Sequence, residues 1–260
     1  GDGVTDDAAA VKAAMQYASS VSAVLYWSAG TYVIGSGVDG TIDGISTLYM
    51  SMYGVTVKFD TSGGNFNWLA NIDDLYIEGG IIGESGADLN GGITIRWTTG
   101  GAYSMIQLRD VQFQTGGTQS RCIFGDTGNG PTTIDIQNCE FRNFTRGAIE
   151  NRLDAGLSNS ETRAIISGCY FKNMGNSDGN GCSAIMLGRN DAMLESIHIT
   201  NCTFRNIEIS GDVTNTDVHA VLCYGESVVV DGCHIENISN DYGDDAEAIY
   251  VKAAYSRIVN

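Results

Sequence analysis

The chain has 260 residues, of which 43% are hydrophobic, and it contains 34 glycines and a single proline. Its formal net charge at pH 7 is −17. This length and apolar content suffice for one elongated domain with a filled core. The negative charge argues against nonspecific binding of nucleic acid or of an anionic membrane, and no apolar run is long enough to span a membrane. An anionic polysaccharide is not excluded, because a local groove with arginine and lysine side chains can still bind one.

The N-terminal segment predicts a short helix that covers the end of the fold. Apolar residues recur at helical spacing within residues 8–19, namely Val11, Ala14, Met15 and Ala18. Thr5 is the predicted N-cap, and the two aspartates that follow it suit the first turn of a helix. After the helix, residues 24–34 predict a strand, a turn and a second strand, and residues 48–59 predict a strand pair.

One pattern then occurs four times between residues 134 and 237, and two degenerate copies precede it at residues 79–82 and 110–113. Each copy has a cysteine at the same place, and these cysteines lie about thirty residues apart. They are Cys139, Cys169, Cys202 and Cys233. An irregular period of this length indicates one structural unit per repeat, stacked on its neighbours.

The pattern within a copy predicts three short strands. Apolar and polar residues alternate first, and a Gly or Asn suited to positive φ ends this run. A second strand carries the cysteine and an apolar residue, and a variable loop follows. The third strand begins at Ala148, Ala184, Ala220 and Ala248. Three strands per unit describe one coil of a parallel β-helix, an all-β solenoid in which equivalent side chains stack about 4.8 Å apart.

The cysteines of the repeat are predicted to form one buried ladder of free thiols. The chain has seven cysteines, an odd number, with no C-x-x-C pair and no regularly spaced histidine beside them. Disulfides and a metal site are therefore the less favoured interpretations. A ladder of free thiols implies folding in a reducing compartment.

The N-terminal motifs resemble a known superfamily. GDGVTDD at residues 1–7, the helix after it and AGTY at residues 29–32 are similar to the entry of pectate-lyase-like right-handed parallel β-helix proteins, with Ser28 in place of the usual proline. The resemblance implies an N-terminal cap over residues 1–35 and coils over residues 36–260. The superfamily includes polygalacturonases, pectate lyases, mannuronan epimerases and bacteriophage tailspikes.

Among these proteins, the chain looks most like a phage tailspike. It shows no secretion signal, its cysteines are predicted to be free thiols, and Asn, Ser, Thr and Gly are frequent in its predicted surface. The resemblance implies a homotrimer of the virion tail that is made in the bacterial cytoplasm and that binds and cleaves bacterial surface polysaccharide; secretion is the alternative. Because residues 256–260 start a new coil, we expect the polypeptide to continue beyond residue 260.

By the same resemblance, the ligand groove follows the third strand and its flanking loops at residues 151–162, 174–183, 207–219 and 239–247. Loops on a rigid scaffold are where binding sites are usually built. The outward positions predicted on this strand are Glu150, Arg152, Met186, Leu222, Tyr224, Tyr250 and Lys252.

Three aspartates are the predicted catalytic residues. When Val221 is aligned with Ile249, Asp217 lies over Asp245 at about 5 Å, with Asp244 beside them. Two carboxylates so close put a proton-carrying acid next to a base, which is the arrangement that glycosidases use. The sequence Asn-Thr-Asp at residues 215–217, followed one coil later by Asp-Asp at residues 244–245, also resembles the polygalacturonase pattern. The alternative for this cluster is Ca²⁺ binding through oxygen ligands; no other metal or cofactor is predicted.

A polysaccharide lyase or epimerase would need a cation and a base instead. The residues of these types near the groove are Arg152, Arg189, His219, Tyr250 and Lys252, and Tyr224 and Tyr250 suit stacking on sugar rings. With Glu150, they form the predicted substrate-binding set. The sequence thus leaves two functional classes: a polysaccharide-cleaving enzyme, with hydrolase favoured over lyase, and a non-catalytic stalk or glycan-binding adhesin.

Overall fold

The structure is a computed structural model that describes residues 1–35, 41–60, 67–83, 93–97, 105–115, 121–125, 131–151, 162–175, 181–189, 192–209, 217–240 and 246–259. Within these residues the helix is α1 (Ala8–Ser20), and the strands are β1 (Asp2–Asp6), β2 (Val24–Tyr26), β3 (Gly30–Gly35), β4 (Ile42–Asp43), β5 (Thr47–Ser51), β6 (Val55–Asp60), β7 (Asn67–Ala70), β8 (Asp74–Glu78), β9 (Ile81–Ile82), β10 (Ile93–Trp97), β11 (Met105–Arg109), β12 (Gln112–Gln114), β13 (Arg121–Gly125), β14 (Thr133–Gln137), β15 (Glu140–Arg142), β16 (Gly147–Asn151), β17 (Arg163–Ser167), β18 (Tyr170–Met174), β19 (Cys182–Leu187), β20 (Leu194–Thr200), β21 (Thr203–Ile209), β22 (Val218–Asp231), β23 (His234–Asn240) and β24 (Ala246–Val259).

These strands form a parallel β-helix of about seven turns, as the sequence predicts. Each coil contributes one strand to each of three faces. Sheet I contains β2, β5, β8, β11, β14, β17 and β20; sheet II contains β1, β3, β6, β9, β12, β15, β18, β21 and β23; sheet III contains β4, β7, β10, β13, β16 and β19. β22 and β24 run unbroken across a corner, so that their first halves extend sheet III and their second halves extend sheet I.

Identical side chains stack from coil to coil inside the solenoid. The rings of Phe113, Phe141, Phe171 and Phe204 are stacked and nearly parallel, with successive centroids 5.2, 5.0 and 4.9 Å apart. The repeat cysteines form the predicted ladder beside them and all seven cysteines are free. Hydrogen bonds between neighbouring thiols, with burial, raise the pKa values of Cys169 and Cys202 to about 12, so these two thiols are packed, protonated core residues.

Positive φ angles at the corners confirm the predicted role of Gly and Asn. The corner between sheets I and II has φ values from 53° to 71° at Gly79, Asp110, Asn138, Gly168, Asn201 and Gly232. Sheet II repeats this conformation at Asn143, directly after β15, and within β18, β21 and β23 at Asn173, Asn206 and Asn237. These four asparagines form an amide ladder, in which the Nδ2 atoms of Asn173, Asn206 and Asn237 each donate to the Oδ1 of the preceding asparagine, at 3.0–3.1 Å. This ladder fixes the register of successive coils.

The helix α1 packs on the coil stack through Ala8, Val11, Met15 and Ala18, close to the predicted apolar stripe. The prediction that Thr5 caps this helix is wrong. Thr5 belongs to β1, where its hydroxyl donates to Asp2, and the N-cap position is Asp7. Asp6 instead accepts the backbone N–H of Ala8. No helix within the described residues is long and apolar enough to cross a membrane.

Candidate functional site

The outer face of sheet III carries the polar and aromatic residues from which a site could be built. The register of its strands aligns one outward row of Arg96, Phe124, Glu150, Met186, Leu222 and Tyr250. A second row contains Arg121, Gly147, Ser183, His219 and Glu247. Because the rungs of a parallel sheet lie about 4.8 Å apart, neighbours in each row are within side-chain contact.

At the early end of this face, charge and aromatic surface are combined in one cluster. The Arg121 guanidinium lies over the Phe124 ring at 4.6 Å from its centroid, and Arg96 approaches the same ring at 5.8 Å. Arg121 also forms an ion pair with Glu150. Glu150 points outward as predicted, yet it is only 6% exposed. A buried carboxylate requires such a partner, so this pair holds neighbouring coils together.

His219 lies at the centre of the late end of this face. Its Nδ1 is 3.4 Å from the Ser183 Oγ in the preceding coil, and its Nε2 is 3.3 Å from a Glu247 carboxylate oxygen in the following coil. The ring also makes an edge contact with Tyr250, at 5.9 Å between centroids. His219 is 5% exposed, so the histidine is enclosed among these groups, whereas Ser183 is half-buried.

Tyr250, which contacts the histidine, also contacts a second tyrosine, Tyr224. The rings of Tyr224 and Tyr250 lie 6.0 Å apart, and Tyr250 is 38% exposed. Burial, followed by the charges of Tyr250 and Asp217, raises the pKa of Tyr224. Asp217 is exposed and directly precedes β22, with its backbone oxygen accepting the N–H of Cys182 at 3.1 Å. The site therefore offers a carboxylate, an imidazole and two phenol rings within two adjacent coils.

The structure brings together four of the residues predicted from the sequence: Asp217, His219, Tyr224 and Tyr250. Lys252 is exposed and pairs in register with Tyr224. Arg189 follows β19 and comes directly after Gly188, which lies against Tyr224, and its backbone exchanges hydrogen bonds with Ala192. The remaining predicted residues, Arg152, Asp244 and Asp245, lie outside the described residues. The alignment that predicted the acid pair is correct in register, because Val221 does pair with Ile249.

Sequence reasoning missed Ser183 and Glu247. A signal for both was present: the last three repeats of sheet III read as one polar residue, an alanine and a β-branched residue, at 183–185, 219–221 and 247–249. The polar residue of this triplet points outward on neighbouring rungs. Ser183, His219 and Glu247 each directly precede the alanine of their repeat, so the position of that alanine in the sequence indicates that the three residues are in register.

A second surface cavity of about 380 Å³ lies on the outer face of sheet I. Its wall contains the stacked rings of Tyr49 and Tyr76, with centroids 4.3 Å apart and an interplanar angle of 16°. Tyr26, Glu78 and Arg109 complete the lining, among other residues. Burial and hydrogen bonding to Tyr49 raise the pKa of Tyr76 to about 12, so this phenol stays protonated. The cavity combines flat apolar surface with polar groups, as sugar-binding surfaces do.

Within the described part of the chain, no three His, Cys, Asp or Glu side chains are placed to hold a metal ion. Calcium binding by the aspartate cluster stays a prediction, because two of its three members lie outside that part. Comparison of the chain with protein-family models, with curated proteins and with solved structures returned no match. Functional inference therefore depends on the geometry of the chain itself.

Proposed function

We propose that this β-helix binds a polysaccharide along the outer face of sheet III and hydrolyses its glycosidic bonds, in the manner of a phage tailspike. The observation that carries the proposal is the contact of His219, Tyr224 and Tyr250 beside Asp217 on adjacent coils. Aromatic rings present flat apolar surface to the C–H groups of a sugar, and a neighbouring carboxylate supplies proton transfer.

In this proposal, Asp217 acts with Asp244 and Asp245 as the acid and the base or nucleophile. Carboxylates about 5–10 Å apart serve retaining and inverting glycosidases. Tyr224 and Tyr250 bind the sugar rings, and Lys252 and Arg189 attract a polysaccharide that carries uronate groups. Lys252 is well placed for this role because it is exposed and lies one rung from Tyr224.

The wider biology follows from the same proposal. A tailspike of this type would be a homotrimer of the virion tail, made in the bacterial cytoplasm and directed to a bacterial surface polysaccharide. The seven free cysteines are compatible with that compartment. With a net charge of −17, the chain is unsuited to nucleic acid as a partner.

The test is reducing-end release from a panel of bacterial capsules and acidic polysaccharides. The Asp217→Asn variant is expected to lose about a hundredfold or more of the activity, because general acid–base groups contribute at least that much. Asp231→Asn, at the end of β22 away from sheet III, is the matched control and should retain it. Cleavage that survives in Asp217→Asn would remove Asp217 from the chemistry, and products that absorb ultraviolet light as unsaturated uronates would indicate a lyase.

The second candidate is a glycan-binding adhesin without catalysis, and the stacked Tyr49 and Tyr76 favour it. If the parent protein binds capsule but releases no reducing ends, binding by Tyr49→Ala and Tyr224→Ala variants separates the two surfaces. Loss in Tyr49→Ala alone would assign binding to sheet I. Loss in Tyr224→Ala alone would assign it to sheet III.

A further inference from the structure

Ser183, His219 and Glu247 lie in one line across three successive coils. The two distances that join them, 3.4 Å to Nδ1 and 3.3 Å to Nε2, are somewhat longer than ideal hydrogen bonds. Contacts of this length are common in catalytic groups without a bound ligand and shorten when the substrate is in place. The three residues stand at the same position of three rungs, so the backbone register of sheet III sets their spacing.

The Glu247 carboxylate determines what the other two residues can do. A Glu247 carboxylate near Nε2 favours the imidazole tautomer that has its proton on Nε2. That tautomer leaves the lone pair of Nδ1 facing the Ser183 hydroxyl. A serine beside a histidine base that is itself oriented by a carboxylate is the arrangement that activates a hydroxyl as a nucleophile, and the order of these residues along a chain differs between unrelated folds.

We propose that Ser183 is the nucleophile of an ester-hydrolysing site, with His219 as general base and Glu247 as the positioning residue. The Ser183 oxygen bonds to the acyl carbon while His219 takes the hydroxyl proton. The C–O bond to the alcohol then breaks, and the alcohol leaves with that proton. Water, deprotonated by His219, attacks the acyl-serine, the proton returns to the serine oxygen, and the carboxylic acid is released. No oxidant, reductant or metal takes part.

The location of the line indicates the class of ester. Tyr250 contacts the His219 ring from the following coil and lies two rungs from Ser183, so a substrate that stacks on that tyrosine and reacts at Ser183 spans about 10 Å of the face. A sugar with an O-acyl substituent fits such a surface. That the alcohol is a polysaccharide depends on the proposed function, whereas hydrolysis of simple esters does not.

Two measurements on the intact chain test the site. Diisopropyl fluorophosphate should label the peptide that contains Ser183, as read by mass spectrometry. Hydrolysis of p-nitrophenyl acetate should fall about a hundredfold or more, to background, in Ser183→Ala and in His219→Gln. Ser227→Ala is the matched serine control, since Ser227 is a half-buried strand residue of β22 in register with Ser196 and Tyr255. His198→Gln, on the exposed face of β20, is the matched histidine control.

Glu247→Gln separates positioning from mere structure. It should slow both labelling and ester hydrolysis and change the pH profile of the rate, with the thermal melt unchanged. Absence of label on Ser183, or hydrolysis as fast in Ser183→Ala as in Ser227→Ala, would overturn the assignment. Because p-nitrophenyl acetate has no glycosidic bond, this result is independent of polysaccharide cleavage. Acetate release from an acetylated xylan then tests the polysaccharide as carrier: hydrolysis of the small ester alone would refute that part.

Discussion

The stacked phenylalanines allow a quantitative test of how the coils are held together. Phe171 is fully buried and stacks on Phe141 at 5.0 Å and on Phe204 at 4.9 Å. Phe113 is equally buried but stacks on one ring, at 5.2 Å, and its other neighbour on the ladder is Ile82. The pair of positions therefore differs by one aromatic contact.

Truncation of a buried Phe to Ala costs about 3–5 kcal/mol, and one aromatic pair contributes about 0.5–1.5 kcal/mol beyond burial. We therefore expect Phe171→Ala to lose about 5 kcal/mol of local unfolding free energy, and Phe113→Ala about 1 kcal/mol less. A loss of this size is a large fraction of the stability of an ordinary domain.

Thiol labelling resolved by mass spectrometry is the assay, because a solenoid opens locally and a single melting curve averages over its coils. Cys169 lies two residues from Phe171 and is 2% exposed. Its labelling should accelerate about 4,000-fold in Phe171→Ala, since each 1.4 kcal/mol is a factor of about ten. Cys122, two coils earlier, should change little. Equal losses in Phe171→Ala and Phe113→Ala would refute a stacking contribution, and equal acceleration at both cysteines would refute local opening.

Two further predictions concern the amide ladder and the thiols. Asn206→Ala should lower the free energy of unfolding by about 2–3 kcal/mol, because it removes two hydrogen bonds and leaves a β-carbon at positive φ. Asn206→Gly should lower it by about 1 kcal/mol less, since glycine adopts positive φ without strain. Identical urea midpoints for the two variants would contradict this prediction. Neighbouring thiols raise the pKa of Cys169 and Cys202 to about 12, and burial does so for Cys182. Below pH 9.0 these thiols are protonated in both the folded and the unfolded state. Between pH 9.0 and about 12 only the unfolded chain loses these protons, so the free energy of unfolding should fall by about 1.4 kcal/mol per thiol and pH unit. A urea midpoint that is the same at neutral pH and well above pH 9.0 would count against this linkage.

The coils were predictable from the sequence because each one repeats the same chemical marks. Cys169 and Phe171 recur with their counterparts at a nearly constant spacing, and Gly or Asn marks each corner, so strand register follows directly. Alignment of Val221 with Ile249 was correct for this reason. The N-cap was not predictable, since Thr5 bonds to Asp2 within an edge strand that only tertiary pairing with β3 creates.

The Ser183–His219–Glu247 line was harder to predict because sequence distance hides it. Loops of unequal length separate the three residues, whereas in space they occupy adjacent rungs. The sequence predicts His219 as a residue near the groove, but not that the flanking rungs enclose it. Burial of a polar side chain depends on neighbours from other coils, which no local pattern contains.

Because β22 and β24 run from sheet III to sheet I without a break, these two strands cannot accommodate insertions or deletions. Gly225 lies at this corner, pairing with Leu194 on one side and Ala253 on the other, and no loop separates the two halves of either strand. One inserted residue here would turn every following side chain of the strand to the opposite face. In the earlier coils a connecting segment at the same corner can absorb such a change. Insertions and deletions should therefore be tolerated between β16 and β17 and rejected within β22, so that the late coils are the part of the chain whose length is fixed.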